Sequence, residues 1–216
     1  MKRMNFQVLM MAFIALFPVT SFAQNMSLDD INHRVSFGIK AGANLSNVYD
    51  TQGDEFQADG KFGLAGGLFL SLPLTDVIGI QPEFLFSQKG YQGSGSVLGS
   101  EYSFSRTTNF IDVPLLVSLR TGEFLTILVG PQYSFLVSQN YTFTSDLVSI
   151  SQDEQFDNEN LSKNILCITG GADLNLGNVV ISGRLGWDMT SNKGDGTSTT
   201  PRYKNAWYQA TIGYRF

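Results

Sequence analysis

The chain carries one histidine, His33, and one cysteine, Cys167. Hydrolytic chemistry of the Ser-His-Asp or Cys-His kind needs a base within hydrogen-bond reach of its nucleophile. His33 stands just before the first strand-like stretch, no Ser/His/Asp set assembles around it, and it reads as a solvated linker residue. Cys167 falls on the polar face of its segment and reads as a small packing residue. No His/Cys cluster has metal-ligand spacing. The acidic run Asp153-Glu154-Gln155-Phe156-Asp157-Asn158-Glu159 could offer oxygen ligands to a divalent cation. It lacks the glycine and alternate-position spacing of a calcium loop and reads as solvated. Gly93-Ser94-Gly95-Ser96 and the run Gly194 to Thr200 lack the strand-then-helix context of a phosphate loop, and read as flexible polar loop tips. The expectation is a non-enzymatic protein with no cofactor and no metal.

The remaining chemistry lies in six charged residues, Lys40, Glu83, Asp112, Asp173, Arg184 and Arg215. Each sits inside a segment of period-two alternation, the mark of a strand with two different faces. The first segment places Val35, Phe37, Ile39, Ala41, Ala43 and Leu45 against Ser36, Gly38, Lys40, Gly42, Asn44 and Ser46. Seven more follow, over about Lys61–Leu72, Ile78–Lys89, Ile111–Leu119, Leu125–Ser138, Leu166–Asn175, Ile181–Met189 and Ala206–Phe216. The links alternate in length. Long ones, about Asn47–Gly60, Tyr91–Ser103, Gln139–Ser162 and Thr190–Asn205, are separated by tight turns at Pro73–Asp76, Arg120–Glu123 and Gly177–Asn178. An up-and-down β-barrel of the outer-membrane kind has this asymmetry, with short periplasmic turns and long extracellular loops.

A soluble, lipocalin-like barrel alternates in the same way. The charges separate the two. A solvated outer face should be rich in Lys and Glu, whereas the polar face here is mostly Gly, Ser, Thr, Asn and Gln, as suits a crowded lumen. The apolar face carries no charge, and hydrocarbon imposes that exclusion, since a mid-depth Arg or Lys costs about 2–4 kcal/mol. Aromatics on that face fall into two girdles. Phe62, Phe84, Phe86, Tyr133, Phe135, Trp187 and Tyr208 lie towards the long loops, and Phe37, Tyr214 and Phe216 towards the short turns. Tyr214 and Phe216 also form a C-terminal aromatic ending of the kind by which such barrels are recognised for insertion. The fold expected is therefore all-β, an eight-stranded antiparallel up-and-down transmembrane β-barrel.

Composition agrees. Of 216 residues 43% are apolar and only 15% charged, with 22 glycines, where an ordinary soluble domain has about 25% charged residues. The net charge of −5 argues against a nucleic-acid partner, and a lone cysteine rules out a disulfide framework. Met1-Lys2-Arg3, the apolar stretch Val8–Val19 and the small-x-small Ser21-Phe22-Ala23 read as a cleaved secretory signal peptide. The domains expected are a signal peptide over 1–23, a short periplasmic segment over 24–34 and the barrel over 35–216.

The stretches Gly38-Ile39-Lys40-Ala41-Gly42-Ala43-Asn44-Leu45-Ser46, Gln81-Pro82-Glu83-Phe84, Phe110-Ile111-Asp112-Val113-Pro114-Leu115-Leu116 and Gly130-Pro131-Gln132-Tyr133, with the terminal Phe216, resemble the PorT-like outer-membrane β-barrel family. The resemblance covers nearly the whole chain after the leader and implies an eight-stranded barrel in a Gram-negative outer membrane. The family's namesake serves protein secretion, a role that none of the matched residues carries.

An eight-stranded barrel is just wide enough for its own side chains. The six inward charges should then pair as a structural network, because an unpaired charge in a narrow lumen is costly. Pro82, Pro114 and Pro131 lie mid-strand at nearly one depth. Each removes a ladder donor, so bulges or bends are expected there. The expected function is an integral outer-membrane barrel with a largely filled lumen, whose loops serve surface interaction or envelope integrity. A narrow porin-like channel and a secretion-system barrel are the alternatives. The partners expected are outer-membrane lipid, the barrel insertion machinery and an extracellular or secretion-system protein.

Overall fold

The computed structural model describes residues 34–50, 59–97, 100–145, 149–154, 164–189 and 203–216. They form β1 (Ser36–Asp50), β2 (Asp59–Pro73), β3 (Ile78–Val97), β4 (Ser100–Arg120), β5 (Leu125–Ser145), β6 (Ser149–Glu154), β7 (Asn164–Leu176), β8 (Val179–Asp188) and β9 (Tyr203–Arg215). Each strand pairs antiparallel with its neighbours in the order β4-β3-β2-β1-β9-β8-β7-β5, and β4 pairs with β5 to close the ring. Eight strands make the wall. The ninth, β6, lies along Gln139–Thr144 of β5, above Phe135 where the pairing with β7 ends.

The expected alternation sets the two faces. Along β8 the residues are exposed and buried in strict turn from Val179 to Asp188, with Ile181, Leu185 and Trp187 outward and Ser182 and Arg184 buried inside. The tight turns fall at one end. Thr75 Oγ1 accepts the Ile78 amide at 2.9 Å, and Gly177 takes φ 65°, the left-handed conformation that a glycine allows. Asn178 then donates to the Arg215 carbonyl at 2.8 Å and ties this turn to the last strand.

At the other end the expectation needs correcting. Tyr91–Val97, including Gly93-Ser94-Gly95-Ser96, and Ser100–Ser103 are not loop. They are β-ladder, with β3 and β4 paired out to Val97↔Ser100. Likewise β5 runs to Ser145 and returns as β6. A tilted strand crosses a bilayer in about 9–11 residues. β8 has 10 residues, whereas β4 and β5 have 21 each, so one side of the barrel stands well beyond the apolar band.

The prolines also behave differently from expectation. No register shift occurs at any of them. The shifts fall between Gly60 and Ala65 on β2 and between Asn109 and Phe110 on β4. At each proline the ladder lapses towards the preceding strand and resumes in the same register. Pairing skips from Phe69↔Glu83 to Leu72↔Ile80 beside Pro82, and from Pro82↔Leu115 to Leu85↔Asp112 beside Pro114. It skips from Pro114↔Gln132 to Val117↔Val129 beside Pro131. On the following strand each proline stays in register, opposite Leu115, Gln132 and Ile168. A missing N–H removes one bond on one side only, which does not require an extra residue.

Across the β2 bulge, β1 side chains replace the missing ladder. Ser46 Oγ accepts the Gly90 amide at 2.7 Å and lies 2.9 Å from the Gly90 carbonyl. Asn44 Nδ2 donates to the Gln88 carbonyl at 3.1 Å. Both β1 residues reach β3 beneath β2, so buried backbone groups there remain bonded.

Candidate functional site

The lumen is built from the inward residues of all eight wall strands. Halfway up, Lys40 of β1 donates to Glu83 of β3. The guanidinium of Arg184 on β8 lies 3.5 Å from Glu83 Oε1 and 2.6 Å from Asp173 Oδ1 on β7. Gln81 Nε2 bridges the two acids, at 2.9 Å from Glu83 and 3.3 Å from Asp173. All five side chains are buried. Near the base, Arg215 donates to an amide, Asn175 Oδ1, at 2.6 Å, and Asn175 donates to Thr126 Oγ1 at 3.0 Å. Charged groups buried in this way need both an opposite charge and further hydrogen bonds.

Asp112 does not join that cluster. It pairs with Lys89 of β3 at 3.0 Å, and the Lys89 ammonium also stands 3.7 Å from the centroid of the Trp207 ring. Lys89 and Trp207 were legible as inward residues, but nothing local identified them as partners. Against this pair an apolar cluster of Phe110, Ile165, Cys167 and Trp207, with Leu136 beside it, packs inside the barrel. Cys167 is fully buried, with Sγ 3.2 Å from Asp188 Oδ1 and 3.5 Å from Ser134 Oγ. Asp188 in turn accepts from the Asn205 side chain at 2.5 Å and the Asn205 amide at 3.0 Å. Between the two levels, Asn44 Oδ1 accepts from Gln209 at 2.9 Å and Asn44 Nδ2 donates to Ser87 at 2.9 Å.

Sequence reasoning missed several inward apolar residues. Phe69, Leu85, Leu116, Leu128 and Val180 are buried in the lumen. They occur inside continuous apolar runs such as Phe84-Leu85-Phe86 and Leu115-Leu116-Val117, where alternation carries no contrast. Inward glycines make room for the rings. A Cβ at Gly38 would meet the Phe69 ring at 2.4 Å, and one at Gly186 the Trp207 ring at 2.1 Å.

The girdle residues Phe37, Phe62, Phe84, Phe86, Tyr133, Phe135, Trp187, Tyr208, Tyr214 and Phe216 all lie on the exposed outer face. Phe216 stacks on Phe37 at 5.1 Å between centroids and meets Tyr214 edge-on at 5.1 Å. On the projecting part of β3–β5, Tyr91 packs against Phe104 at 6.3 Å and Tyr102 against Phe143 at 6.1 Å. Gly93 and Gly95 sit beneath Phe104 and Tyr102. His33, most of the acidic run and Gly194–Thr200 lie outside the described residues.

A closed ring of eight antiparallel strands, apolar outside and polar inside, with aromatic girdles, defines the class as a transmembrane β-barrel of the outer-membrane type. The chain belongs to the outer membrane protein beta-barrel domain family, whose model matches residues 22–193. The closing strand β9 lies beyond the matched stretch. The protein is therefore an outer-membrane protein. Among solved structures it is similar to Ail, the attachment invasion locus protein of Yersinia pestis, at 19% identity over 84% of this chain and 99% of that one, with a TM-score of 0.46. It is also similar to Neisserial surface protein A, at 10% identity over 83% and 97%, TM-score 0.46. A third similarity is to the outer membrane protease OmpT from Escherichia coli, at 12% identity over 84% and 93%, TM-score 0.39. No curated protein matches the chain in sequence.

Proposed function

We propose that this protein is a non-enzymatic outer-membrane barrel of the PorT-like kind, closed by its own side chains, whose projecting β3–β6 wall makes contacts outside the cell. The observation that carries the reading is the stacking of filled levels in the lumen. The Lys40/Glu83/Arg184/Asp173 cluster lies below and the Phe110/Ile165/Cys167/Trp207 cluster above. A conducting path would have to break both buried ion pairs and apolar packing. In this reading the six charges are structural, and the aromatic ending Tyr214/Phe216 is what the barrel insertion machinery recognises. Residues 1–23 are an export signal removed after Ala23, 24–34 a short periplasmic lead-in and 35–216 the barrel.

The test is conductance of the refolded protein in a planar bilayer. The expected outcome is no stable opening. Reproducible openings would replace this reading with the narrow channel, and recovery of a secretion apparatus from the crosslinked envelope would favour a secretion-system barrel.

A further inference from the structure

The outward face is free of charge across the apolar band, but above it, on the long-strand side, the described residues carry two cations. The first is Lys61, on the bulged stretch of β2. Its ammonium crosses Gly90 and donates to Ser105 Oγ at 2.6 Å and to Thr107 Oγ1. Phe110 and Asp112 of β4 are buried inside, so by alternation Ser105 and Thr107 lie on the outer face. They stand beyond Ile111, the last apolar outward residue of that strand. The second is Lys204 at the start of β9, two positions before the outward Ala206 and four before the girdle residue Tyr208. Its ammonium donates to the Met189 carbonyl at 3.2 Å.

Neither lysine has a carboxylate partner among the described residues, in contrast to Lys40 and Lys89 inside the barrel. The two flank β1, with Lys61 opposite Ser46 and Lys204 opposite Tyr49. Two strand spacings and three residues of rise put their backbones roughly 14 Å apart. Between them and the hydrocarbon lie Phe62, Leu45 and Tyr208, paired in one row. A neutral amide and hydroxyl row continues around the wall, with Gln88 donating to Asn109 at 3.0 Å and Asn109 to Ser138 at 2.8 Å.

We propose that Lys61 and Lys204, with the hydroxyls of Ser105 and Thr107, bind phosphate groups of an outer-leaflet lipid whose acyl chains lie on the girdle below. Cations just outside an apolar band sit at headgroup level. Their complement there is an anion fixed to the membrane, and each basic residue contributes about fivefold in affinity for such a surface. The hydroxyls supply donors that shape the site for phosphate oxygens.

The experiment compares the refolded full chain in phosphatidylcholine vesicles alone, with added lipid A, with dephosphorylated lipid A, and with inorganic phosphate. The readouts are lipid retained after extraction, by native mass spectrometry, and the thermal unfolding midpoint. Retention and a raised midpoint are expected with lipid A only. A Lys61→Gln/Lys204→Gln variant should lose about 25-fold in retention while unfolding as the wild type does in phosphatidylcholine alone. If that variant misfolds, Lys204→Gln alone should still lose about fivefold. Equal retention by wild type and variants, equal binding of the dephosphorylated lipid, or equal protection by inorganic phosphate would each overturn the proposal.

Discussion

The two halves of the barrel wall are built differently. In β7, β8, β9 and β1 the ladders run without a lapse, from Leu176↔Val179 to Cys167↔Asp188 between β7 and β8 and from Gly38↔Arg215 to Asp50↔Tyr203 between β1 and β9. Their inner face carries Lys40, Asn44, Thr169, Asp173, Arg184, Gln209 and Thr211, with Ile165, Cys167, Val180 and Trp207 as its apolar members. In β2 to β5 three successive seams lapse beside Pro82, Pro114 and Pro131. The inner face of that half includes Phe69, Leu85, Leu116 and Leu128. The ion cluster spans both halves. Glu83 belongs to the interrupted half, and its cations, Lys40 and Arg184, belong to the continuous one. Gln81 repeats the crossing by reaching Asp173. Lumen chemistry thus fastens the half whose backbone bonding is thinner to the half whose bonding is complete.

Reversing the charge at Glu83 should have the largest effect. Glu83→Lys would place a third cation beside Lys40 and Arg184, and folding should be lost, read as absence of the compact, heat-modifiable band on electrophoresis. Glu83→Gln should still fold, at a cost of about 3–5 kcal/mol for leaving buried cations short of a partner. A well-folded Glu83→Lys barrel would show that the halves do not depend on this fastening.

Next comes Leu116→Ala, on the apolar inner face of the interrupted half, with an expected loss of about 2–5 kcal/mol in denaturant unfolding. Thr211→Val, at a polar inward position of the continuous half, should change stability by less. The reverse order would mean that apolar packing is not what supports the interrupted half. The smallest effect is expected from returning the donors. Pro82→Val or Pro131→Val should gain at most about 1 kcal/mol and slow hydrogen exchange in the seam towards the preceding strand. Exchange equally slow across all seams of the unaltered protein would remove the distinction between the halves.

The outer face was legible across the apolar band because its rule is local. Every second residue from Val35 to Leu45 must suit hydrocarbon, and the same holds along β8 and β9. The inward charges were legible by the same parity, but not the division into Lys40/Glu83/Arg184/Asp173 and Lys89/Asp112. That depends on the stagger of strands far apart in sequence, as does the contact of Lys89 with Trp207. Leu85, Leu116 and Leu128 were hidden because their outward neighbours are equally apolar.

The links were misread for a related reason. Ser, Thr, Gly and Asn suit a loop tip and a strand wet on both faces equally well, so Gly93-Ser94-Gly95-Ser96 looked like a turn. Ladder partners at Ser103, Tyr102 and Glu101 made it a strand. By itself the sequence determined the number of wall strands, the outward face of the apolar band and the membrane class, because a period of two and exclusion of charge act residue by residue. Only the tertiary structure decided which buried charge meets which, where a proline leaves a seam open and how far the wall stands above the membrane. Those depend on register and closure, and pairing across the ring joins residues that no local pattern links.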